Sequence, residues 1–280
     1  MQIERAREMG FCFGVRRAIK LLEQAAQKHG TIESLGAVVH NKQVVNRLAE
    51  LGVKVINNTE QIKGNVVAVP SHGLGLPMLE KLKLDVPAVV DATCPFVRRA
   101  QVSARKLAHA GFQIVIFGDA EHSEVKAILN SCEGHGIVAA EANIAFSEPP
   151  KRLGVLSQTT QSTERFGWFV KELLDKVLSN VDELRIINTI CDATKERQTA
   201  ARELSSRSDI MLVVGDVNSS NTRRLAELCS GVGVETHLVE SADQLDAVWF
   251  KNKKHVGVTA GASTPDDTID LVIRKLQNLA

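Results

Sequence analysis

Five cysteines are scattered over 280 residues with no C-x-x-C pair, so any metal or redox site must be assembled from distant parts of the chain. An odd, dispersed set does not make a disulfide framework, nor a zinc ribbon or thioredoxin-type motif. Three of the five share a setting: Gly10-Phe11-Cys12-Phe13-Gly14-Val15-Arg16, Ala92-Thr93-Cys94-Pro95-Phe96-Val97-Arg98 and Thr189-Ile190-Cys191-Asp192-Ala193-Thr194-Lys195. Each cysteine stands where an apolar stretch gives way to a helical pattern, with a cation four residues on. A thiolate there is favoured by the helix dipole and by unbonded N–H groups, which suits a metal ligand and equally a nucleophile. Cys132 and Cys229 lack that setting and read as small buried hydrophobes.

Three thiolates are one short of the usual four for a [4Fe–4S] cluster. A closed site passes electrons, whereas an iron without a protein ligand could bind a substrate oxygen as a Lewis acid. From the residues alone, two metal sites remain open: iron–sulfur with one open position, or zinc with three thiolate ligands.

Polar runs accompany the cysteines: Val39-His40-Asn41, Ser71-His72-Gly73, His122-Ser123-Glu124, Ser157-Gln158-Thr159-Thr160, Asn218-Ser219-Ser220-Asn221 and Gly261-Ala262-Ser263. Most fall between a strand and a helix, where N–H groups and hydroxyls can gather around an anion. His40 and His72 could add charge or hydrogen bonds. Taken singly, Asn218–Asn221 is an N-cap cluster, Ser263 an ordinary cap before Pro265, and Glu124 a solvated capping-box carboxylate. Taken together, the runs predict a small anionic substrate. Beside an anion and an electron-rich cluster, Glu124 would have a raised pKa and become a proton donor near neutral pH. The other histidines, His29, His109, His135, His237 and His255, read as structural or surface residues, and Trp168 as helix core. No Walker A or G-x-G-x-x-G pattern supports a nucleotide cofactor.

The elements that must position these residues alternate along the chain. Gly14–His29 has helical apolar spacing and ends in His29-Gly30, a cation followed by a C-cap glycine. Short apolar runs recur at Val53–Ile56, Val66–Val69, Ile114–Phe117, Met211–Val214 and Val256–Val258, most followed by a helical pattern. That alternation predicts an α/β fold of βα units around small parallel sheets. Cys94 lies 82 residues after Cys12, and Cys191 lies 97 after Cys94. Counting 28 residues from each cysteine reaches His40, His122 and Ser219. Gly118-Asp119-Ala120-Glu121-His122 also aligns with Gly215-Asp216-Val217-Asn218-Ser219. These echoes predict three similar units with pseudo-threefold symmetry: 13–94, 95–190, and 191–280 with 1–12. Their loops at strand carboxyl ends would face a shared centre, where such sheets bind ligands.

Composition is that of a globular chain, 44% hydrophobic and 24% charged. A formal charge of +1 predicts no nucleic-acid partner. Apolar runs far shorter than a membrane span predict no membrane association. Met1-Gln2-Ile3-Glu4-Arg5 has no secretory-signal character, which leads to a cytoplasmic expectation. No oligomer signal is legible, so monomer is the default.

These residues together resemble the 4-hydroxy-3-methylbut-2-enyl diphosphate reductase family, the last enzyme of the non-mevalonate isoprenoid pathway. The resemblance spans the chain through Gly10–Val15, Val38–Asn41, Asp91–Pro95, Ser157–Thr160, Thr189–Cys191 with Arg197-Gln198, Asn218–Asn221 and Thr259–Ser263. It implies a three-lobed α/β trefoil around a [4Fe–4S] cluster bound by Cys12, Cys94 and Cys191. By motif position it implies that His40, His72, His122, Ser219, Ser220, Asn221 and Ser263 hold the diphosphate. Thr159 and Glu124 would lie near the hydroxymethyl group, with Glu124 donating the proton. The implied reaction is a two-electron reductive dehydroxylation to isopentenyl and dimethylallyl diphosphate, with the substrate hydroxyl on the open iron and ferredoxin or flavodoxin as electron donor. Two departures from the common family pattern are Leu74-Gly75-Leu76-Pro77 after Gly73, and Ser123 where proline is common. Two rivals stand beside this: a non-redox iron–sulfur hydro-lyase acting on a small phosphorylated substrate, and a metal-containing phosphate sensor without turnover.

Overall fold

A computed structural model describes residues 1–279. Among them the chain runs β1 (Gln2–Arg5), α1 (Phe13–His29), β2 (Ile32–Leu35), α2 (Lys42–Glu50), β3 (Val53–Ile56), β4 (Val66–Val69), α3 (Leu76–Asp85), β5 (Ala88–Asp91) and α4 (Pro95–His109). It continues with β6 (Gln113–Phe117), α5 (Ser123–Asn130), β7 (Gly136–Ala139), β8 (Arg152–Ser157), α6 (Thr163–Val177), β9 (Glu183–Ile187) and α7 (Asp192–Ser205). Last come β10 (Ile210–Val214), α8 (Ser220–Gly231), β11 (Glu235–Val239), β12 (His255–Ala260) and α9 (Asp266–Leu279). The predicted strands and α1 fall within a residue or two of these. Gly30 takes φ +75 and donates its N–H to the Ala26 carbonyl, closing α1 as a glycine C-cap does.

Two compact units form: Met1–Arg16 with Val39–Arg47 and Asp192–Ala280, and Arg17–Val38 with Leu48–Cys191. The first contains one four-stranded sheet, β1-β12-β10-β11. On one face Ile210, Leu212 and Val214 of β10 pack with Ile269, Val272 and Ile273 of α9. On the other, Met211 and Val213 pack with Leu204 of α7 and Leu225 of α8. The same strand thus serves two cores by its two-residue period.

The second unit contains two sheets, β3-β2-β4-β5 and β7-β6-β8-β9. Val67 and Val69 of β4 pack with Leu79 and Leu82 of α3. Ile114 and Ile116 of β6 face Ala104 and Leu107 of α4, while Val115 and Phe117 face Phe166 and Phe169 of α6. Trp168 is a correction: it is 62% exposed, because α6 buries Phe166, Phe169, Leu173 and Val177 and the intervening position turns outward. Three of the histidines read as structural or surface residues have defined partners in the fold. His109 reaches Glu133, His237 stacks on Trp249, and His255 Nδ1 reaches the Arg207 carbonyl.

Every strand pairing is parallel. Taken from its own first strand, each sheet has the order second-first-third-fourth: β3-β2-β4-β5, β7-β6-β8-β9 and β11-β10-β12-β1. The order therefore reverses between the two inner strands of each sheet. At such a switch point the following loops diverge, leaving a crevice at the strand carboxyl ends. In each sheet the fourth, outer strand leads into a cysteine, at Cys94, Cys191 and Cys12 respectively.

Candidate functional site

Each of the three cysteines immediately precedes a helix: Cys12 before α1, Cys94 before α4 and Cys191 before α7. Pro95 occupies the first turn of α4, where its missing N–H removes no helical bond. All three are part-exposed, and no cysteine is in a disulfide. The Cys12 sulfur accepts the N–H of Val15 at 3.4 Å. Cys132 and Cys229 are fully buried. Burial pushes the Cys132 thiol up to about 12 and raises that of Cys229 as well, leaving both unsuited to ligation. The donor chemistry of Cys12, Cys94 and Cys191 therefore fits an iron–sulfur group, to which soft thiolates are suited. Among the described residues no three His, Cys, Asp or Glu side chains are grouped to hold a single metal ion.

One backbone device recurs at all three cysteines. The Cys12 N–H donates to the Ala262 carbonyl at 3.1 Å, Cys94 to Ser71 at 2.8 Å and Cys191 to Thr159 at 3.1 Å. Each acceptor lies two residues beyond its sheet's third strand, β12, β4 or β8. Sequence reasoning missed this tie because a backbone carbonyl has no residue signature, although the aligned polar runs hinted at equivalent loops.

In the second unit Glu124 sits in the first turn of α5 and is only 3% exposed. Its carboxyl accepts the Thr159 N–H at 2.6 Å and the Thr159 hydroxyl at 2.8 Å. Burial pushes its pKa up from 4.5 to about 7, and the two Thr159 bonds pull in the other direction. The solvated capping-box reading of Glu124 is thus wrong. The cause of its raised pKa here is desolvation by the protein itself. His122 caps α5, its Nδ1 accepting the Glu124 N–H at 3.1 Å, which puts the proton of a neutral ring on Nε2. Gln158 Oε1 takes the Asp119 N–H at 3.1 Å, binding the loop after β6 to the loop after β8.

His72 lies after β4, and its Nε2 is 3.8 Å from where a Gly36 Cβ would stand. The neighbouring Ser71 binds the Val38 carbonyl through both N–H and hydroxyl. The unusual Leu74–Pro77 segment is ordered by Gly73 at φ +81, by Gln101 Nε2 on the Leu74 carbonyl, and by Gly75 capping α3. Behind Cys94, Arg98 pairs with Asp91 at 2.6 Å and donates to the Thr93 hydroxyl at 3.1 Å.

In the first unit the crevice between β10 and β12 gathers His40, Ser219, Ser220, Asn221 and Ser263. Ser219 caps α8. Ser263 is no ordinary cap: it is buried, and its hydroxyl contacts the His40 carbonyl at 3.1 Å and the Ser219 hydroxyl at 3.4 Å. Asn221 Oδ1 accepts the Ala262 N–H, leaving its Nδ2 buried without a partner, as are the hydroxyls of Thr222 and Thr259. Unsatisfied buried donors of this kind suit a polar ligand. A side chain at Gly261 would place its Cβ 2.0 Å from Thr222 Oγ1, so glycine keeps that loop close. Burial lowers the His40 pKa from 6.5; Asp216 raises it and Arg223 lowers it.

Asp119 and Asp216 each cap their own turn, accepting the N–H of Glu121 and of Asn218 respectively. His122 and Ser219 then begin their helices as N-caps. The 28-residue echo thus corresponds to equivalent loop positions in β6–α5 and β10–α8. His40 stands one residue before the equivalent cap, Asn41, whose Oδ1 accepts the Val44 N–H.

Fold and site define an α/β protein with three helix-start cysteines and polar loops at its strand carboxyl ends. The chain belongs to the LytB protein family, which matches residues 3–277. It is 47% identical to the 4-hydroxy-3-methylbut-2-enyl diphosphate reductase of Dehalococcoides mccartyi strain 195, covering 100% of this chain and 99% of that protein. To the protein of the same name from Geobacter sulfurreducens it is 45% identical, covering 99% and 97%. The solved E-1-hydroxy-2-methyl-but-2-enyl-4-diphosphate reductase of Plasmodium falciparum superposes with TM-score 0.91 at 26% identity, covering 99% of this chain and 88% of that one. Membership in this family implies an iron–sulfur cofactor, and the names of these relatives favour neither the hydro-lyase nor the sensor.

Proposed function

We propose that the chain catalyses reductive dehydroxylation of (E)-4-hydroxy-3-methylbut-2-enyl diphosphate to isopentenyl and dimethylallyl diphosphate. The observation that carries this reading is Thr159. Its N–H and hydroxyl hold the buried Glu124 carboxyl, and its carbonyl holds the N–H of Cys191. One residue thereby joins a protonatable acid to a thiolate loop. Cys12, Cys94 and Cys191 would hold a [4Fe–4S] cluster, which when bound would supply electrons and Lewis acidity.

The chain's own residues do the rest. His40, His72, His122, Ser219, Ser220, Asn221 and Ser263 bind the diphosphate with hydroxyls, amide and imidazole N–H groups and the N-termini of α5 and α8. His122 contributes Nε2–H, since Nδ1 is committed to the helix cap. Glu124, protonated in a substantial fraction of molecules near pH 7, gives its proton to the departing hydroxyl, which leaves as water. A second proton, drawn from solvent, forms the new C–H bond of either product once two electrons have been taken up. Thr159 orients that carboxyl. Ferredoxin or flavodoxin supplies the electrons, and the chain acts as a monomer. The proposed repeating units are 13–94, 95–190, and 191–280 with 1–12.

Anaerobic purification followed by metal and sulfide analysis tests the cofactor. Iron and acid-labile sulfide in equal amounts, lost in Cys12→Ser, are expected. Zinc without iron or sulfide ends the reading.

A further inference from the structure

Arg197, on α7, is 4% exposed and has no carboxylate partner among the described residues. Its Nη1 donates to the Ala193 carbonyl at 2.8 Å and its Nη2 to the Gly10 carbonyl at 2.8 Å, while its buried Nε has no partner. An arginine is always charged, and burying a charge without a counter-ion is costly. Two carbonyl dipoles offset part of that cost but supply no opposite charge. Asp266, the acid nearest Gly10, is exposed and committed to Arg16 at 3.2 Å.

Gly10 lies two residues before Cys12 and takes φ +75, a conformation that L side chains rarely adopt. Two residues of chain span at most about 7 Å between Cα atoms, so the guanidinium lies close to the Cys12 backbone. We infer that Arg197 is a positioning residue for the Cys12 loop and the counter-charge for the iron–sulfur group that Cys12 helps to bind. The inference rests on the proposed cofactor. Three thiolates outweigh the positive charge of such a core, so the bound group is anionic, and more so when reduced. A fixed buried cation then favours both its assembly and its reduction. A neutral side chain could tie the Gly10 carbonyl without the cost of burying charge, so a purely structural role leaves the charge unexplained.

The test compares anaerobically purified wild type, Arg197→Lys and Arg197→Gln by iron and sulfide content, far-UV circular dichroism and an EPR-monitored redox titration. For Arg197→Gln the reduced-to-oxidised ratio at fixed potential is expected to fall about tenfold, a shift of about 59 mV for one electron. Arg197→Lys is expected to stay near wild type. Iron lost only in Arg197→Gln, with the fold intact in all three, also supports the inference through assembly. An iron-loaded Arg197→Gln with unchanged potential overturns it. Loss of iron or fold in both variants also overturns it, because guanidinium shape then matters more than charge. Wild type without iron fails the cofactor proposal instead.

Discussion

The Glu124 carboxyl has lost the water that ordinarily stabilises its charge, and two bonds from Thr159 only partly replace it. Activity that needs its proton should fall as pH rises through about 7, visible in the pH profile of kcat. Replacing Thr159 with Val removes a bond that favours the carboxylate, so the falling limb should move to higher pH, while Thr159→Ser should leave it in place. Glu124→Gln should lower kcat by roughly 100-fold or more while keeping iron and diphosphate affinity. Loss of iron in that variant would give Glu124 a structural role instead. The same ionisation acts on stability. With its folded pKa raised from 4.5 to about 7, Glu124 favours the fold at low pH, and that contribution is lost as pH rises through this window. Urea melts from pH 4 to 8 should show a flatter dependence for the Gln variant. Cys132→Ser should retain its iron, measured by metal analysis, since that thiol is buried in an apolar core. Residue types and motif positions pointed to Glu124 and the cysteine trio from the sequence. What a linear string cannot carry is the burial that sets the Glu124 pKa, or the outward turn of Trp168.

Among the elements, the six strand-to-helix loops after the inner strands carry the polar residues, and three outer strands carry the cysteines. The strands were legible because buried parallel strands are short apolar runs, all-buried in β4 and β10. The cysteine N–H ties to Ala262, Ser71 and Thr159 were not, because any residue offers the same carbonyl. Ser263 looked like a cap for α9, but the fold turns it towards Ser219. Loop closeness is testable at Gly261, where an added Cβ would sit 2.0 Å from Thr222 Oγ1. Gly261→Ala should destabilise the protein by about 1–3 kcal/mol and raise KM for the diphosphate. Thr222→Ala in the same chain should restore part of both, read by thermal unfolding and steady-state kinetics.

Across the whole molecule, the sheets repeat one strand order, and the fourth strand of the last is β1, from the opposite end of the chain. Equal offsets from three cysteines carried that repetition in the sequence, since each offset measures one helix-then-strand passage of similar length. No described helix is long and apolar enough to cross a membrane. Everything proposed for the chain turns on whether a buried acid and a thiolate-bound cofactor act together on one diphosphate. The direct measurement is an anaerobic assay of the iron-loaded protein with (E)-4-hydroxy-3-methylbut-2-enyl diphosphate, with and without reduced methyl viologen, following both isomeric products. Isopentenyl and dimethylallyl diphosphate should form only with the reductant. Consumption of substrate without it, or none by fully loaded protein with it, would contradict the account.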